Sequence, residues 1–185
     1  DLKIIEVAKD FDLNPPFIRP TELATDDASS IDVVKHAVAF YTSQGKEFDA
    51  VCLLQPTNPF RPPGFIKKCI EKFINTNCDS LFSALEVPHE YTPHWVFEEN
   101  ENGFLQLATK EKEIISRRQL LPKAFIRDGS VYLTKTSVLM NLLSLYGEKI
   151  SYIISDPQWH VNIDTAEDWE KACIVAKEYL LKYSA

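Results

Sequence analysis

From residue 50 onward, short continuous apolar runs alternate with segments whose apolar positions recur every three or four residues. Ala50-Val-Cys-Leu-Leu54 has no polar alternation, which predicts a strand buried on both faces in the middle of a parallel sheet. Gln55 ends the run, and Pro56, Pro59 and Pro62 then forbid both helix and further pairing. Pro63 to Asn75 reads as a helix with Pro63 near its first turn and Ile66, Cys69, Ile70 and Phe73 facing inward. Asp79 to Val87 is the next strand, so this stretch predicts a right-handed, parallel βαβ crossover. Gly129 to Thr134 returns to the sheet, a short helix follows over 136–143, and Ile150 to Ser155 is another strand. The last helix starts after Thr165 as N-cap, with Asp168 in the reciprocal position of a capping box and Trp169, Ala172, Cys173, Ala176 and Leu180 as its buried stripe.

Upstream, residues 1–11 predict the end of an amphipathic helix with Ile4, Ile5, Ala8 and Phe11 on one face. Pro15 to Pro20 reads as a short edge strand bracketed by prolines. The polar loop Glu22 to Ser30 leads into a helix carrying Ile31, Val34, Val38 and Tyr41 on its inner face, capped by Ser29 or Ser30. Residues 88–128 break the pattern. Trp95-Val-Phe97 and Phe104 to Leu107 flank the turn Asn100-Glu-Asn-Gly103 and predict a hairpin, within an excursion from the sheet that reaches toward a second subunit.

Length and composition change this picture little. A chain of 185 residues, 45% apolar, makes one globular domain with an ample core. Net charge of -7 and a pI near 5.1 argue against non-specific nucleic-acid or anionic-membrane binding. No apolar run approaches the roughly 20 residues that span a bilayer, and the charged first residues are not a signal peptide. Cys52, Cys69, Cys78 and Cys173 form no CxxC pair, and three lie within apolar patterns. Free buried thiols and a cytoplasmic location follow.

Three places carry candidate chemistry. Gln55, Thr57, Asn58 and Arg61 lie on a stiff loop past the carboxyl end of a strand, where open α/β sheets bind ligands; the other reading is a Pro-rich turn in which Gln55 bonds backbone. The hydroxyl residues near Ser30 can cap their helix or help cradle an anion or ribose. Asn162 and Asp164 are two apart on an extended segment, so their side chains point the same way. Two oxygens on one face suit a hard Mg²⁺, whereas Asp164 could equally bond nearby backbone N–H groups. His89 and His94 read as solvated loop histidines, with a metal pair as the alternative.

Four ordered stretches together resemble a known family: Arg19-Pro-Thr-Glu-Leu-Ala-Thr-Asp-Asp-Ala-Ser-Ser30, Leu53-Leu-Gln-Pro-Thr-Asn-Pro-Phe-Arg61, Arg118-Gln-Leu-Leu-Pro122 and Asn162-Ile-Asp-Thr-Ala-Glu-Asp-Trp169. They look like the acylneuraminate cytidylyltransferases (CMP-sialic acid synthetases), over essentially the whole chain. Relatives that activate pseudaminic, legionaminic or, more distantly, 3-deoxy-octulosonic acid share much of the pattern. The resemblance implies a Rossmann-like, mostly parallel α/β sheet of the nucleotide-diphospho-sugar transferase type. It implies that CTP and a nonulosonic acid give the CMP-sugar and pyrophosphate with Mg²⁺, by direct attack of the anomeric hydroxyl on the α-phosphorus. By matching positions, Arg19, Ala28 and Ser30 would contact the cytidine, and Gln55 and Tyr132 the sugar. Arg118 would pair with the carboxylate or phosphates, and Asp164, with Asn162 beside it, would hold the metal. The family is dimeric, and 88–128 corresponds to its dimerisation segment.

Three departures qualify that match. The family begins with a strand and a basic, Gly-containing loop for the triphosphate that nothing here supplies, so the chain is expected to correspond to the C-terminal part of an enzyme. Asn162 stands where the family usually has Asp, weakening a Mg²⁺ site. Arg127 is one position away from an arginine that many relatives carry, and that role is not transferred. The alternative from another class is a non-catalytic paralogue or fragment that keeps only the sugar-binding and dimer surfaces. A glycosyltransferase using Asp-x-Asp fits less well, since its acidic pair would sit mid-chain.

Overall fold

The computed structural model describes residues 2–25 and 27–183; Asp1 and Asp26, parts of the expected first helix and polar loop, lie outside the described residues. Five α-helices and six β-strands, with short 3-10 turns between them, form among the described residues. They are α1 (Leu2–Lys9), α2 (Ser30–Thr42), β1 (Ala50–Leu53), α3 (Phe65–Thr76), β2 (Ser80–Glu86), β3 (Phe97–Glu99), β4 (Leu105–Leu107), β5 (Phe125–Lys135), α4 (Thr136–Leu142), β6 (Ile150–Ile154) and α5 (Ala166–Tyr183). The main sheet has the order β1-β5-β2-β6, and β3-β4 is a separate hairpin. β2 and β6 pair in parallel, while β5 runs antiparallel to both β1 and β2. Three of the four strands therefore point the same way.

The crossover from β1 through α3 to β2 joins strands of one direction, but they are not neighbours, because β5 lies between them. This corrects the expected adjacent parallel pair. It also moves β1, which pairs on one side among the described residues and keeps Cys52 exposed. A five-residue apolar run has no periodicity that separates a central strand from an edge one.

The core lies between α3 and the sheet. Cys69 and Phe73 pack with Cys78, Leu81, Val131 and Leu133, with Ala50, Phe65, Ile66 and Ile153 at the margin. Burial pushes the Cys69 thiol up to about 12, and all four cysteines are free, with Cys52 and Cys173 exposed rather than buried. Gly64, in the left-handed region at φ 78°, starts α3, and Asn77 at φ 45° ends it.

Several upstream and terminal expectations change. Pro15 to Pro20 forms no strand, since prolines cannot donate to a ladder; instead Phe17 stacks near His36 and Phe40 of α2, with ring centroids 5.0 and 4.6 Å apart. The cap of α2 is Ser29, whose hydroxyl accepts from Asp32 N–H at 3.1 Å. In α5 only Ala172 of the expected stripe is buried, and Trp169 is 61% exposed. That helix seats Tyr179 and Tyr183 on the buried Trp159 (centroids 5.4 and 5.8 Å) instead of laying an apolar face on the sheet. Its start is as expected: Asp168 N–H donates to Thr165 Oγ1 at 3.2 Å, and Thr165 N–H to Asp168 Oδ2 at 2.9 Å.

Candidate functional site

A bulge in β5 builds the site. Along β2 the pairing steps from Phe82 opposite Tyr132 to Ala84 opposite Arg127, so Asp128 to Val131 face Ser83 alone. Asp-Gly-Ser suits this kink: Gly129 sits at φ 82°, where a side chain would be strained. Ser83 knits the bulge from the other strand. Its hydroxyl donates to Asp128 Oδ1 at 2.5 Å and accepts from Val131 N–H at 2.8 Å, while Ser130 N–H donates to Asp128 Oδ1 at 2.9 Å.

A bulge frees ladder carbonyls, and buried carbonyls need donors. The loop after β1 supplies them. Asn58, 2% exposed, donates its amide N–H to the Asp128 carbonyl at 2.7 Å. Arg61 Nε donates to the Ser130 carbonyl at 2.9 Å, and its Nη2 to the Gln55 carbonyl at 2.6 Å. Desolvation lowers the Arg61 pKa, against the pull of Asp128. Tyr179 donates its hydroxyl to the Arg61 carbonyl, tying α5 to the same loop. Asn58 and Arg61 thus bond backbone, which frees the Gln55 side chain to line a cleft.

That open cleft, about 440 Å³, lies between the loop, the bulge and the segment before α5. Gln55 and Thr57 line one side, Arg127, Gly129 and Tyr132 the floor strand, and His160, Asn162 and Asp164 the other. Ile163 N–H donates to the Thr57 carbonyl at 2.8 Å and holds the two walls together. Asn162 donates its amide N–H to Asp164 Oδ2, so both side chains do point the same way. The backbone N–H groups of Asp164 and Thr165 go to Asp168 Oδ2 at 3.1 and 2.9 Å. Asp168, not Asp164, therefore takes the backbone role. The Thr165 hydroxyl first, and then those two backbone bonds, hold the Asp168 carboxyl below its ordinary value. Arg127 Nη1 donates to Tyr132 Oη at 3.4 Å, a bond that raises the Arg127 pKa. Burial lowers that of His160, which Asp128 opposes and Lys171 reinforces.

Four of the residues singled out in the sequence, Gln55, Tyr132, Asn162 and Asp164, line this one cleft. Arg118 does not. It lines a second cleft of about 320 Å³ with His89, Thr92 and Lys123. Arg19, Ala28 and Ser30 line neither. His94 Nδ1 lies 3.0 Å from Glu111 and His89 Nε2 3.4 Å from Glu90, so each histidine has a carboxylate neighbour instead of the other as a metal partner. Reading the sequence missed the roles of Asn58, Arg61, Arg127, Asp128 and His160. An Asp-Gly pair inside an apolar strand pattern was the available signal for the bulge.

As a donor set for a metal, Asp164 brings one carboxylate and Asn162 one amide. Among the described residues no three His, Cys, Asp or Glu side chains gather to hold an ion by themselves. This set suits Mg²⁺, which keeps several waters and takes one or two carboxylates plus substrate phosphates.

Sheet order and flanking helices define a Rossmann-like α/β protein with its open cleft beside the loop after β1 and the start of β5. The fold matches that of CMP:2-keto-3-deoxy-manno-octonic acid synthetase complexed with CTP, with a TM-score of 0.60 and 14% identity over 96% of this chain and 78% of that one. No family model matches the sequence. Pseudaminic acid cytidylyltransferase of Campylobacter jejuni is 33% identical over 177 residues, covering 96% of this chain and 75% of that protein. CMP-N,N'-diacetyllegionaminic acid synthase of Legionella pneumophila is 28% identical over 170 residues, covering 90% and 71%. The chain belongs to the CMP-sialic acid synthetase (acylneuraminate cytidylyltransferase) family.

Proposed function

We propose that the protein transfers CMP from CTP to a nonulosonic acid and releases pyrophosphate. The observation that carries the reading is the convergence of Gln55, Tyr132, Asn162 and Asp164 on one cleft, in a chain 33% identical to a pseudaminic acid cytidylyltransferase. The anomeric hydroxyl of the acid attacks the α-phosphorus, the bond to the pyrophosphate oxygen breaks, and the hydroxyl proton leaves to solvent or a nearby base. No covalent enzyme intermediate is needed; holding the two substrates in line supplies the rate. Gln55 and Tyr132 orient the sugar. Arg127 places a guanidinium in the same cleft, where its planar fork suits a carboxylate or phosphate. Asp164, with Asn162, would hold Mg²⁺, which neutralises charge on the triphosphate.

Arg118 lies in the other cleft, and this favours a site shared between protomers. Residues 88–124, the expected 88–128 excursion without the four residues that β5 takes into the main sheet, carry their own hairpin and expose Tyr91, Phe104, Leu105 and Leu120. We read that segment as the homodimer contact that carries Arg118 to the partner's cleft. No helix among the described residues is long and apolar enough to cross a membrane, and free, buried Cys69 and Cys78 suit a reducing cytoplasm.

The test is pyrophosphate release by the intact coding-length protein with Mg²⁺, each of the four nucleoside triphosphates and a panel of nonulosonic acids. Release should require CTP and one acid, and should fall by roughly a hundredfold or more in Asp164→Ala. A folded protein that releases none with any pair would refute the reading.

A further inference from the structure

We propose that His160 is a further substrate-contacting residue of the cleft, presenting a neutral Nε2–H donor to an oxygen of the sugar acid, with Asn58 as the positioning residue that fixes this tautomer. The proposal rests on the cytidylyltransferase reading for the identity of its substrate. Its geometry does not.

The amide of Asn58 is buried, and Nδ2 meets two partners: the Asp128 carbonyl at 2.7 Å and His160 Nδ1 at 3.0 Å. A backbone carbonyl can only accept, so the group facing it must be the NH₂ end of the amide. The amide orientation is thereby settled without reference to the imidazole. Nδ2 can only donate, so His160 Nδ1 must accept and cannot carry a proton. In the neutral ring the proton then sits on Nε2.

The ring is held in place from its backbone. Trp159 and Val161 on either side are 2% and 1% exposed, and His160 N–H donates to the Pro157 carbonyl at 3.2 Å. Nε2 has no protein partner among the described residues and is not among the buried unpartnered atoms, and His160 lines this cleft as well as a small cavity of about 10 Å³ beside Trp159. The cleft offers the side-chain amides of Gln55 and Asn162, the Tyr132 phenol and the His160 imidazole, beside the Arg127 guanidinium and the Asp164 carboxylate. Gln55 and Tyr132, which the proposed function gives to the sugar, share this lining with His160, so an oxygen of the sugar acid is the partner the imidazole would meet.

Two measurements test this on the intact protein. In ¹⁵N spectra of histidine-labelled protein, at a pH where imidazole is neutral, His160 should show an acceptor-type Nδ1 and a protonated Nε2. Asn58→Asp puts an acceptor where the donor stood and should reverse that pattern. A protonated Nδ1 in the wild type would overturn the assignment whether or not the protein is active. In kinetics, His160→Phe keeps a ring of similar size and should raise KM for the acid about fivefold, the loss expected for one hydrogen bond. KM for CTP should stay within about twofold, and His160→Gln, which restores an N–H, should recover most of the loss. An unchanged KM for the acid in an active His160→Phe variant would overturn the sugar contact. A wild type that releases no pyrophosphate would sink the function reading and the sugar contact with it, leaving the tautomer result standing.

Discussion

Arg61 is the group most directly responsible for holding the loop after β1 onto the bulge, and its replacement by methionine isolates that role. Methionine keeps most of the aliphatic stem and removes the fork, so two donors vanish: Nε to the Ser130 carbonyl and Nη2 to the Gln55 carbonyl. Hydrogen bonds from a charged donor contribute about 1.5–3 kcal/mol each. The side chain is partly exposed, and water can replace part of each bond, so about 1–1.5 kcal/mol per bond is the better figure. The pair then contributes about 2–3 kcal/mol. For a chain of this size each kcal/mol moves Tm by about 2–4 °C, so Arg61→Met should melt about 5–10 °C lower. Arg61→Lys replaces the fork by a point charge that serves one carbonyl and should fall between the two. Calorimetry measures this. The freed Gln55 backbone should also raise KM for the sugar acid. A Tm within about 1 °C of wild type would refute the claim that Arg61 staples the site.

A shared site predicts subunit complementation: Arg118→Ala and Asp164→Ala, each inactive alone, should on mixing and reassociation recover roughly a quarter of wild-type activity, because half the dimers are mixed and each holds one intact site. No recovery in mixtures shown to exchange subunits would place both residues in one protomer's site. Gly147→Ala should lose about 1–3 kcal/mol in urea unfolding, since a Cβ there would lie 2.4 Å from Asp79 Cβ; an unchanged midpoint would contradict it. Asp79 should shape the acid limb of stability. Lys149 N–H and then the Lys135 ammonium hold its carboxyl below the ordinary value. Its contribution is therefore complete above about pH 4 and lost as pH falls through the lowered folded value. Asp79→Asn should flatten the fall of Tm below about pH 4, and a curve of unchanged steepness would count against the pairing.

The helices over Ser30–Thr42 and Phe65–Thr76, the hairpin at Asn100 to Gly103 and the capping box at Thr165 were legible because local period and end chemistry specify them. Strand order was not. Ala50 to Leu53 reads as central, yet its place depends on β5, whose pairing residues Tyr132 to Lys135 arrive much later in the chain. Chain-distant pairing leaves no mark on the period of either strand. Within the site, Gln55 was visible as a polar residue at a strand end, and Asn162 and Asp164 as a same-face pair on an extended segment. Asn58 and Arg61 looked equally available to a ligand. They turn inward because the Asp128–Val131 bulge exposes carbonyls that must be paired, and that need arises only once β5 lies beside β2. His160 carried no signal at all, since its role depends on Asn58, 102 positions earlier.

The central claim is that this cleft joins CMP to a nonulosonic acid through the acid's own anomeric oxygen. Mass spectrometry of the product made from CTP and an acid labelled with ¹⁸O at the anomeric hydroxyl tests it most directly. The CMP-linked sugar should keep the label in its bridging oxygen, and the pyrophosphate should be unlabelled. Label in the pyrophosphate, or no CMP-linked product from the folded protein with any acid of the class, would contradict it.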